Sequence, residues 1–337
     1  MKHWLIRLAV TLALAGAMAG GFWAWCGALM REPGPAVGQS TVIIPRGTNS
    51  AGIAQLLKEA GVIDRPWLFL VETHLAGKQG LRAGEYSFPA RASLASVIDM
   101  MHRGQVVVHR ITVAEGLTVF QVLAALRQAE GLTGRVVAPP EEGSLMPQTY
   151  FYSFGDSRDG LIHRMTKAMN ETIDCLWPER AEGLPLANKI EAIVLASIVE
   201  RETAVPEERS HIAAVFLNRL KLHMKLQSDP TVIYALSHGE GALDRPLTHQ
   251  DLAALSPFNT YAVEGLPPEP ICNPGRASLE AVLHPLASDD LYFVADGSGG
   301  HVFAKTLAEH NRNVARLRRM EDGTLPLPAV KKVKSAK

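Results

Sequence analysis

The chain has 337 residues, 47% of them hydrophobic, and its 34 Lys and Arg residues balance 34 Asp and Glu residues. This length can hold one large domain or two ordinary ones beside a membrane segment, and the apolar fraction excludes wholesale disorder. Because the formal net charge is zero, bulk electrostatic attraction to nucleic acid is not expected.

The first thirty residues predict a membrane anchor. Lys2 and Arg7 precede an apolar run from Leu8 to Met30 that contains no charged residue. About 20 residues of α-helix are enough to cross the hydrocarbon core of a bilayer. Basic residues before such a run favour a cytoplasmic N-terminus. We therefore expect residues 1–30 to form a single-pass anchor, with the body of the chain outside the cytoplasm.

The competing interpretation of this segment is a cleaved signal peptide, with small residues near Ala17 and Ala19 as the cleavage site. The apolar stretch continues past that point through Phe22, Trp23 and Trp25, which favours an uncleaved anchor. In both cases the body of the chain is exported.

The body reads as two α+β units behind a short linker. Pro and Gly in residues 31–39 predict the linker, and residues 40–105 predict a small α+β module. Residues 106–318 predict a larger α+β domain, followed by a basic, solvated tail at 319–337. The fold class is therefore α+β with an N-terminal transmembrane helix.

The predicted elements follow from periodicity, turn residues and β-branched runs. In the module we expect strands at 41–44 and 84–88 and helices at 49–60, 65–75 and 93–101. In the larger domain we expect a strand at 106–113, helices at 118–129, 187–204 and 207–222, an irregular loop at 256–276, and a hairpin at 291–303. The 187–204 helix is apolar nearly all round, which predicts burial, whereas 207–222 has a one-sided stripe.

Two carboxylates near the end of the buried helix are the first candidates for chemistry. Glu200 and Glu202 are two residues apart, so on a helix they point roughly 160° away from each other. A carboxylate in apolar surroundings tends to hold its proton near neutral pH, as a general acid for a glycosidic oxygen must. Periodicity does not choose between them, and both could equally be surface carboxylates paired with Arg201 and Arg209.

Polar clusters elsewhere supply candidate ligands for a substrate. Gln227 and Asp229 lie in one cluster, and Asn259 and Tyr261 in another. No phosphate-binding glycine loop, HExxH zinc motif or GxSxG nucleophile motif occurs. We therefore expect no metal and no cofactor, and we interpret His301 and His310 as structural. Cys175 and Cys272 are interpreted as two buried free thiols, with a disulfide as the open alternative.

The ordered motifs of the larger domain closely resemble the YceG-like family of endolytic transglycosylases. The resemblance rests on five segments: Ala196-Ser-Ile-Val-Glu-Arg-Glu-Thr203, Val215-Phe-Leu-Asn-Arg-Leu220, Leu226-Gln-Ser-Asp-Pro-Thr-Val-Ile-Tyr234, Asn259-Thr-Tyr261 and Gly265-Leu-Pro-Pro268. The closing segment Leu291-Tyr-Phe-Val-Ala-Asp-Gly-Ser-Gly-Gly-His-Val-Phe303 matches it as well. The similarity extends from the membrane helix to about residue 316.

This resemblance implies a peptidoglycan lytic transglycosylase. The family's catalytic glutamate falls on Glu202, and residues 40–105 look like its LysM-like module. Family members cut the bond between N-acetylmuramic acid and N-acetylglucosamine within nascent strands and leave 1,6-anhydro ends. The implied location is the inner membrane with the catalytic domain in the periplasm. The implied partners are glycan strands and penicillin-binding proteins.

Two alternatives and one departure accompany this interpretation. A muramidase using water would need a second carboxylate, for which Asp229 is available. A non-catalytic peptidoglycan-binding scaffold would need only the module and the anchor. Where the family commonly has Pro-Asp-Thr-Tyr, this chain has Gln148 in place of the aspartate. Asn218 and Arg219 are interpreted as packing and capping groups.

Overall fold

The computed structural model describes residues 2–75 and 80–326 and divides the chain into two compact units. The first unit comprises residues 1–110, 130–133 and 151–156, and the second comprises 111–129, 134–150 and 157–337. In this division the first boundary lies at residue 110. The two short returns of the chain into the first unit were not anticipated. Much of the expected basic tail, from residue 327 onward, lies outside the described residues.

The first unit combines the N-terminal helix with a small α+β module. Its elements are α1 (Lys2–Arg31), β1 (Ser40–Ile44), α2 (Ser50–Glu59), α3 (Pro66–Leu75), β2 (Gly84–Phe88) and α4 (Leu94–Arg103). Strands β1 and β2 pair antiparallel, with Ser40 opposite Phe88 and Ile44 opposite Gly84. The apolar part of α1, Ile6–Arg31, is long and apolar enough to cross a membrane.

Local sequence signals account for the module's helices. The Asn49 side chain accepts a hydrogen bond from the Gly52 N–H and starts α2. At the start of α4 the Ser93 side chain accepts a hydrogen bond from the Ser96 N–H. Gly104 ends that helix in the left-handed conformation, with a φ of 65°. Between these elements lies a core that includes fully buried Phe69.

The second unit contains most of the helices. Its elements are α5 (Val119–Gln128), α6 (Arg158–Leu176), α7 (Lys189–Glu202), α8 (Arg209–Lys221), α9 (Asp229–Ser237), α10 (His249–Leu252), α11 (Arg276–Leu283), β5 (Tyr292–Ala295), β6 (His301–Ala304) and α12 (Leu307–Glu321). Strands β5 and β6 form an antiparallel hairpin, with Tyr292 opposite Ala304. A further pair, β3 (Val108–Thr112) and β4 (Thr149–Ser153), has residues in both units.

Helices α7, α8 and α11 pack together to form the core of the second unit. Residues 194–199 of α7 are all buried, as a helix that is apolar nearly all round predicts. The expectation of a one-sided stripe for α8 is wrong, because residues 212–217 are buried without interruption. Strand β5 and helices α7 and α11 all contact α8 and leave little of it to solvent.

The α7 helix offers a matched test of this core. Leu195 is 0% exposed, whereas Ile190 on the same helix is 65% exposed. We expect Leu195→Ala to lower the free energy of unfolding by about 2–5 kcal/mol, because it leaves a cavity. Ile190→Ala should change it by about 0.5 kcal/mol or less. Urea denaturation followed by circular dichroism measures both, and similar losses for the two variants would contradict the assigned packing.

Candidate active site

A cavity of about 470 Å³ opens in the second unit at the end of α7. Its lining joins the C-terminus of α7, helix α8, the start of α9 and the β5–β6 hairpin. The residues that line it are Glu202, Arg219, Leu226, Gln227, Asp229, Tyr261, Phe293, Val294, Ala295, His301 and His310. Apolar and polar groups therefore meet around two carboxylates, those of Glu202 and Asp229, as in many ligand sites.

The two glutamates at the end of α7 have different surroundings. Glu202 is the last residue of the helix and lines the cavity. The Glu200 side chain is 5% exposed and accepts a hydrogen bond from the Gly275 N–H at 2.9 Å, where α11 begins. Arg209 lies 3.5 Å from the same carboxylate. Glu200 thus joins α7 to α11, and of the two glutamates it is Glu202 that lines the cavity.

One neutral hydroxyl contacts the Glu202 carboxylate directly. The Ser228 Oγ donates a hydrogen bond to Glu202 Oε2 at 2.8 Å. Ser228 is itself 1% exposed, and its N–H donates to the Thr260 hydroxyl. The donor is therefore held in place by the loop that follows α10.

Burial raises the pKa of Glu202 to about 6. The Ser228 hydrogen bond and the charges of His301 and Arg219 oppose this shift, whereas the charge of Asp229 adds to it. A carboxyl group with this pKa is protonated in a useful fraction of molecules near neutral pH and can also act as a base once it is ionised. These are the properties that general acid catalysis at a glycosidic bond requires.

A raised pKa by itself does not identify a catalytic acid. Burial also raises the pKa of Glu142 to about 7. Its carboxylate accepts the Val119 N–H at 2.9 Å and the Asn273 amide at 3.4 Å, and Glu142 is not among the residues that line the cavity. It stabilises the start of α5, so the cavity is what distinguishes Glu202.

Three of the four expected substrate ligands line the same cavity as Glu202. They are Gln227, Asp229 and Tyr261. The Tyr261 hydroxyl donates to Asp229 Oδ1 at 2.6 Å, and burial raises the Tyr261 pKa. Gln227 has a φ of 52°, a left-handed conformation that is uncommon for residues other than glycine. Its N–H donates to the Thr260 carbonyl at 3.1 Å, which holds the turn in place.

The expectation that Asn259 contacts the substrate is corrected by the structure. Asn259 is 0% exposed and does not line the cavity. Its amide donates to the carbonyls of Leu252 and Ala254, and its side-chain oxygen accepts the Tyr261 N–H at 2.9 Å. These bonds use the side chain to shape its own loop, so Asn259 positions Tyr261 and does not itself reach the cavity.

Sequence reasoning did not assign Arg219 to the cavity. Its guanidinium donates to the carbonyls of Leu291 at 2.6 Å and Leu226 at 2.8 Å, and it approaches Gln227 Oε1 at 3.4 Å. Neighbouring Asn218 donates to the carbonyls of Ser288 and Asp290 and has a packing role. The packing role expected for Arg219 is therefore present, and the same side chain also lines the cavity.

The two histidines interpreted as structural also line the cavity. Glu208 holds His301 with both oxygens: Oε1 accepts the His301 N–H at 3.0 Å, and Oε2 lies 2.7 Å from Nδ1. The His310 ring stacks on Tyr292, and burial lowers its pKa. The glycine-rich turn before His301 and its place in the closing family motif were the available signals, but they did not reveal the cavity. Ser228 was missed because a serine before Asp-Pro is typical of helix starts.

The remaining expectations concern residues away from the cavity. Gln148, which stands where the family commonly has an aspartate, is exposed and is not among the residues that line the cavity. Cys175 and Cys272 are both free, but Cys175 is exposed, so the expectation that it is buried is wrong. Within residues 2–75 and 80–326, no group of three or more His, Cys, Asp or Glu side chains could hold a metal ion.

The hydrogen bond from Ser228 predicts a titration shift. This bond stabilises ionised Glu202, so Ser228→Ala is expected to raise the Glu202 pKa further above 6. Carbon-13 NMR of carboxyl-labelled glutamate measures the titration directly. Ser237→Ala, in α9, is the matched control and should leave it unchanged. An unchanged or lower pKa in Ser228→Ala would refute the assigned contact.

The raised pKa also predicts a pH-dependent change in stability. The folded state binds the Glu202 proton more tightly than the unfolded chain, in which the pKa of this group is about 4.5. The stabilisation by protonation is complete below pH 4.5 and is lost as the pH rises through 6. In Glu202→Gln the side chain cannot ionise, so this loss of stability does not occur. Its free energy of unfolding relative to wild type should therefore rise by up to about 2 kcal/mol between pH 4 and pH 8.

Urea unfolding of both proteins at the two pH values tests this expectation. Glu207→Gln, at an exposed position, is the control and should show no pH-dependent difference. An equal difference between Glu202→Gln and wild type at pH 4 and pH 8 would contradict the raised pKa.

Comparison with known proteins places this chain in a family. The sequence model of the YceG-like family matches residues 42–316. The endolytic murein transglycosylase of Bacillus subtilis is 33% identical, and the match covers 80% of this chain and 82% of that protein. A protein of the same name from Streptococcus pneumoniae is 27% identical, and the match covers 94% of this chain and 65% of that relative. The crystal structure of a yceG-like protein from Listeria monocytogenes matches with a TM-score of 0.50 and 30% identity, over 81% of this chain and 98% of that one. With a family match over most of its length and the site motifs in place, this chain belongs to the YceG-like family.

Proposed function

We propose that this chain is an endolytic peptidoglycan transglycosylase, a carbon–oxygen lyase that cuts glycan strands at the bond between N-acetylmuramic acid and N-acetylglucosamine. The observation that carries the proposal is Glu202. Its carboxyl group lines the cavity, has a pKa of about 6 and accepts a hydrogen bond from Ser228. The relatives named endolytic murein transglycosylase support the same activity.

In the first step, protonated Glu202 donates its proton to the glycosidic oxygen as the bond from C1 of the muramyl sugar to that oxygen breaks. The N-acetylglucosamine side leaves with a free 4-hydroxyl group, and positive charge develops at C1. The cavity wall supplies the oxygen atoms of Gln227, Asp229 and Tyr261 around this position. Such preorganised polar groups stabilise developing charge better than mobile water does.

In the second step, ionised Glu202 accepts the proton of the muramyl C6 hydroxyl as that oxygen bonds to C1. The product is a 1,6-anhydro-muramyl end, and Glu202 has recovered its proton. Because the nucleophile belongs to the same sugar, no water and no second catalytic carboxylate are consumed. Holding the nucleophile beside its target in this way replaces a bimolecular step with an intramolecular one.

Two other activities differ from this proposal in what they require. A muramidase would use Asp229 to activate water. Asp229 does line the cavity, but the Tyr261 hydroxyl occupies one of its carboxylate oxygens. A non-catalytic scaffold would need no acid in the cavity, whereas Glu202 there retains the pKa of a proton donor. The chemistry of the new chain ends separates all three.

We also propose the cellular setting. Helix α1 anchors the chain in the inner membrane with its N-terminus in the cytoplasm, supported by its length and by Lys2 and Arg7. The catalytic unit then lies in the periplasm. Residues 40–105 grip glycan as a LysM-like module, for which the β-α-α-β order from β1 to β2 is supporting evidence. Penicillin-binding proteins that make the strands are the proposed neighbours.

The decisive experiment is mass analysis of products from purified peptidoglycan. Wild type should release anhydro-muramyl ends, and Glu202→Gln should reduce their rate of formation by about 1000-fold or more, since it removes the proton donor. Glu200→Gln is the matched control. It should retain activity at permissive temperature while lowering the melting temperature, because Glu200 joins α7 to α11.

Each other outcome points to a different function. Reducing ends from wild type would favour the muramidase, and Asp229→Asn would then be tested. No cleavage by folded wild type, together with retained sedimentation on peptidoglycan, would favour the scaffold. Equal loss of activity in both glutamine variants would contradict the separate roles of Glu200 and Glu202.

A further inference from the structure

The last turns of α1 pack against the first unit. Cys26 is 1% exposed and belongs to the hydrophobic core of this unit. Leu29 and Met30 pack against the same core. Because α1 is a continuous helix as far as Arg31, its apolar span and these packed turns form one rod without a joint.

The segment after α1 is fastened to the same unit. The Arg65 guanidinium donates to the Glu32 carboxylate at 2.7 Å. The Gly34 N–H donates to the Arg91 carbonyl at 3.3 Å. Residues 31–39, expected to be a linker, are therefore bound to the module at Glu32 and at Gly34.

An aromatic patch joins the anchor and the module. The Trp25 ring stacks on Trp67, with centroids 6.3 Å apart and an interplanar angle of 22°, and Phe22 lies 6.1 Å from Trp25. We call these three rings the aromatic patch. The exposed fraction is 53% for Trp25, 42% for Trp67 and 53% for Phe22. Since Trp67 is the second residue of α3, one ring of the patch belongs to the module.

The height of this patch along α1 matches the edge of a bilayer. The membrane-spanning candidate begins at Ile6. A helix rises about 1.5 Å per residue, so roughly 20 residues, from Ile6 to Trp25, cover a hydrocarbon core about 30 Å thick. Trp4 then lies at the other edge. Tryptophan rings concentrate at these edges because they combine an apolar body with a polar N–H.

We propose that Trp67 inserts into the periplasmic interface of the phospholipid bilayer, so that the α+β module lies directly on the membrane surface. This inference rests on the proposed membrane anchor. It adds that the module itself contacts lipid, through a ring that continues the aromatic edge of α1. Arg31 and Arg65 then lie at the level of the lipid phosphates. Glycan gripped by the module is held close to the membrane, where new strands emerge.

The test is fluorine NMR of the full chain in phosphatidylethanolamine–phosphatidylglycerol nanodiscs, with 5-fluorotryptophan at its five tryptophans. Single Trp→Phe variants assign the resonances. A lipid with a nitroxide near the glycerol should reduce the Trp67 signal about threefold or more, as it does those of Trp4 and Trp25 at the two interfaces. A water-soluble gadolinium chelate should have little effect on Trp67.

The outcomes separate this inference from the anchor and from the enzyme activity. If Trp4 and Trp25 respond to the labelled lipid but Trp67 responds to gadolinium alone, the inference is wrong and the anchor stands. If Trp4 and Trp25 do not respond to labelled lipid, the anchor is wrong, and the inference falls with it. Catalysis is not part of the readout, so loss of activity affects neither result.

A matched pair of variants supplies a second measurement. Trp67→Gln removes the ring from the aromatic patch, and it should increase the effect of gadolinium on Trp25 roughly twofold. Trp67→Phe keeps a ring there and should leave that effect unchanged. Equal gadolinium effects in the two variants would overturn the inference, because Trp67 would then not be covering Trp25 at the interface.

Discussion

The site depends on the unfavourable burial of one carboxylate. Helix α7 carries Glu202 to the end of an apolar core, where removal from water raises the pKa of the acid to about 6. The packing of α7 against α8 and α11 is what excludes solvent. If Glu202 were better solvated, its pKa would be lower and it would hold its proton less often near neutral pH. The packing of the core therefore sets the protonation of the carboxyl group.

The neighbouring glutamate shows how the same helix end serves two purposes. Glu200 faces Arg209 and the start of α11, while Glu202 faces the cavity. Their separation by two residues turns them roughly 160° apart, so one can be neutralised by structural partners without disturbing the other. On one side the ion pair between Glu200 and Arg209 fixes the helix. On the other side Glu202 accepts a hydrogen bond from the neutral Ser228 hydroxyl.

Most of the elements named from the sequence are present in the structure, because amphipathic stripes, caps and β-branched runs are local signals. The one-sided stripe expected for α8 was wrong, since the burial of residues 212–217 comes from three neighbours that no local pattern reveals. Gln227, Asp229 and Tyr261 were found through motifs, and the cavity does bring them together. Asn259 belonged to the same motifs, yet it stabilises its own loop. The sequence did not reveal this, because a buried amide and an amide that binds a ligand look alike in sequence. Arg219, His301 and His310 meet only through long-range folding, which spacing does not encode.

Several of the hydrogen bonds that hold the cavity wall end on main-chain groups. Arg219 bridges the carbonyls of Leu226 and Leu291, and the Gln227 turn is fixed by its own N–H. Lining side chains that make no such bond, such as Val294 and Ala295, can be exchanged without removing a hydrogen bond that holds the wall. Substitutions at these two positions therefore change the shape of the cavity while Glu202 and the hydrogen bonds around it stay in place.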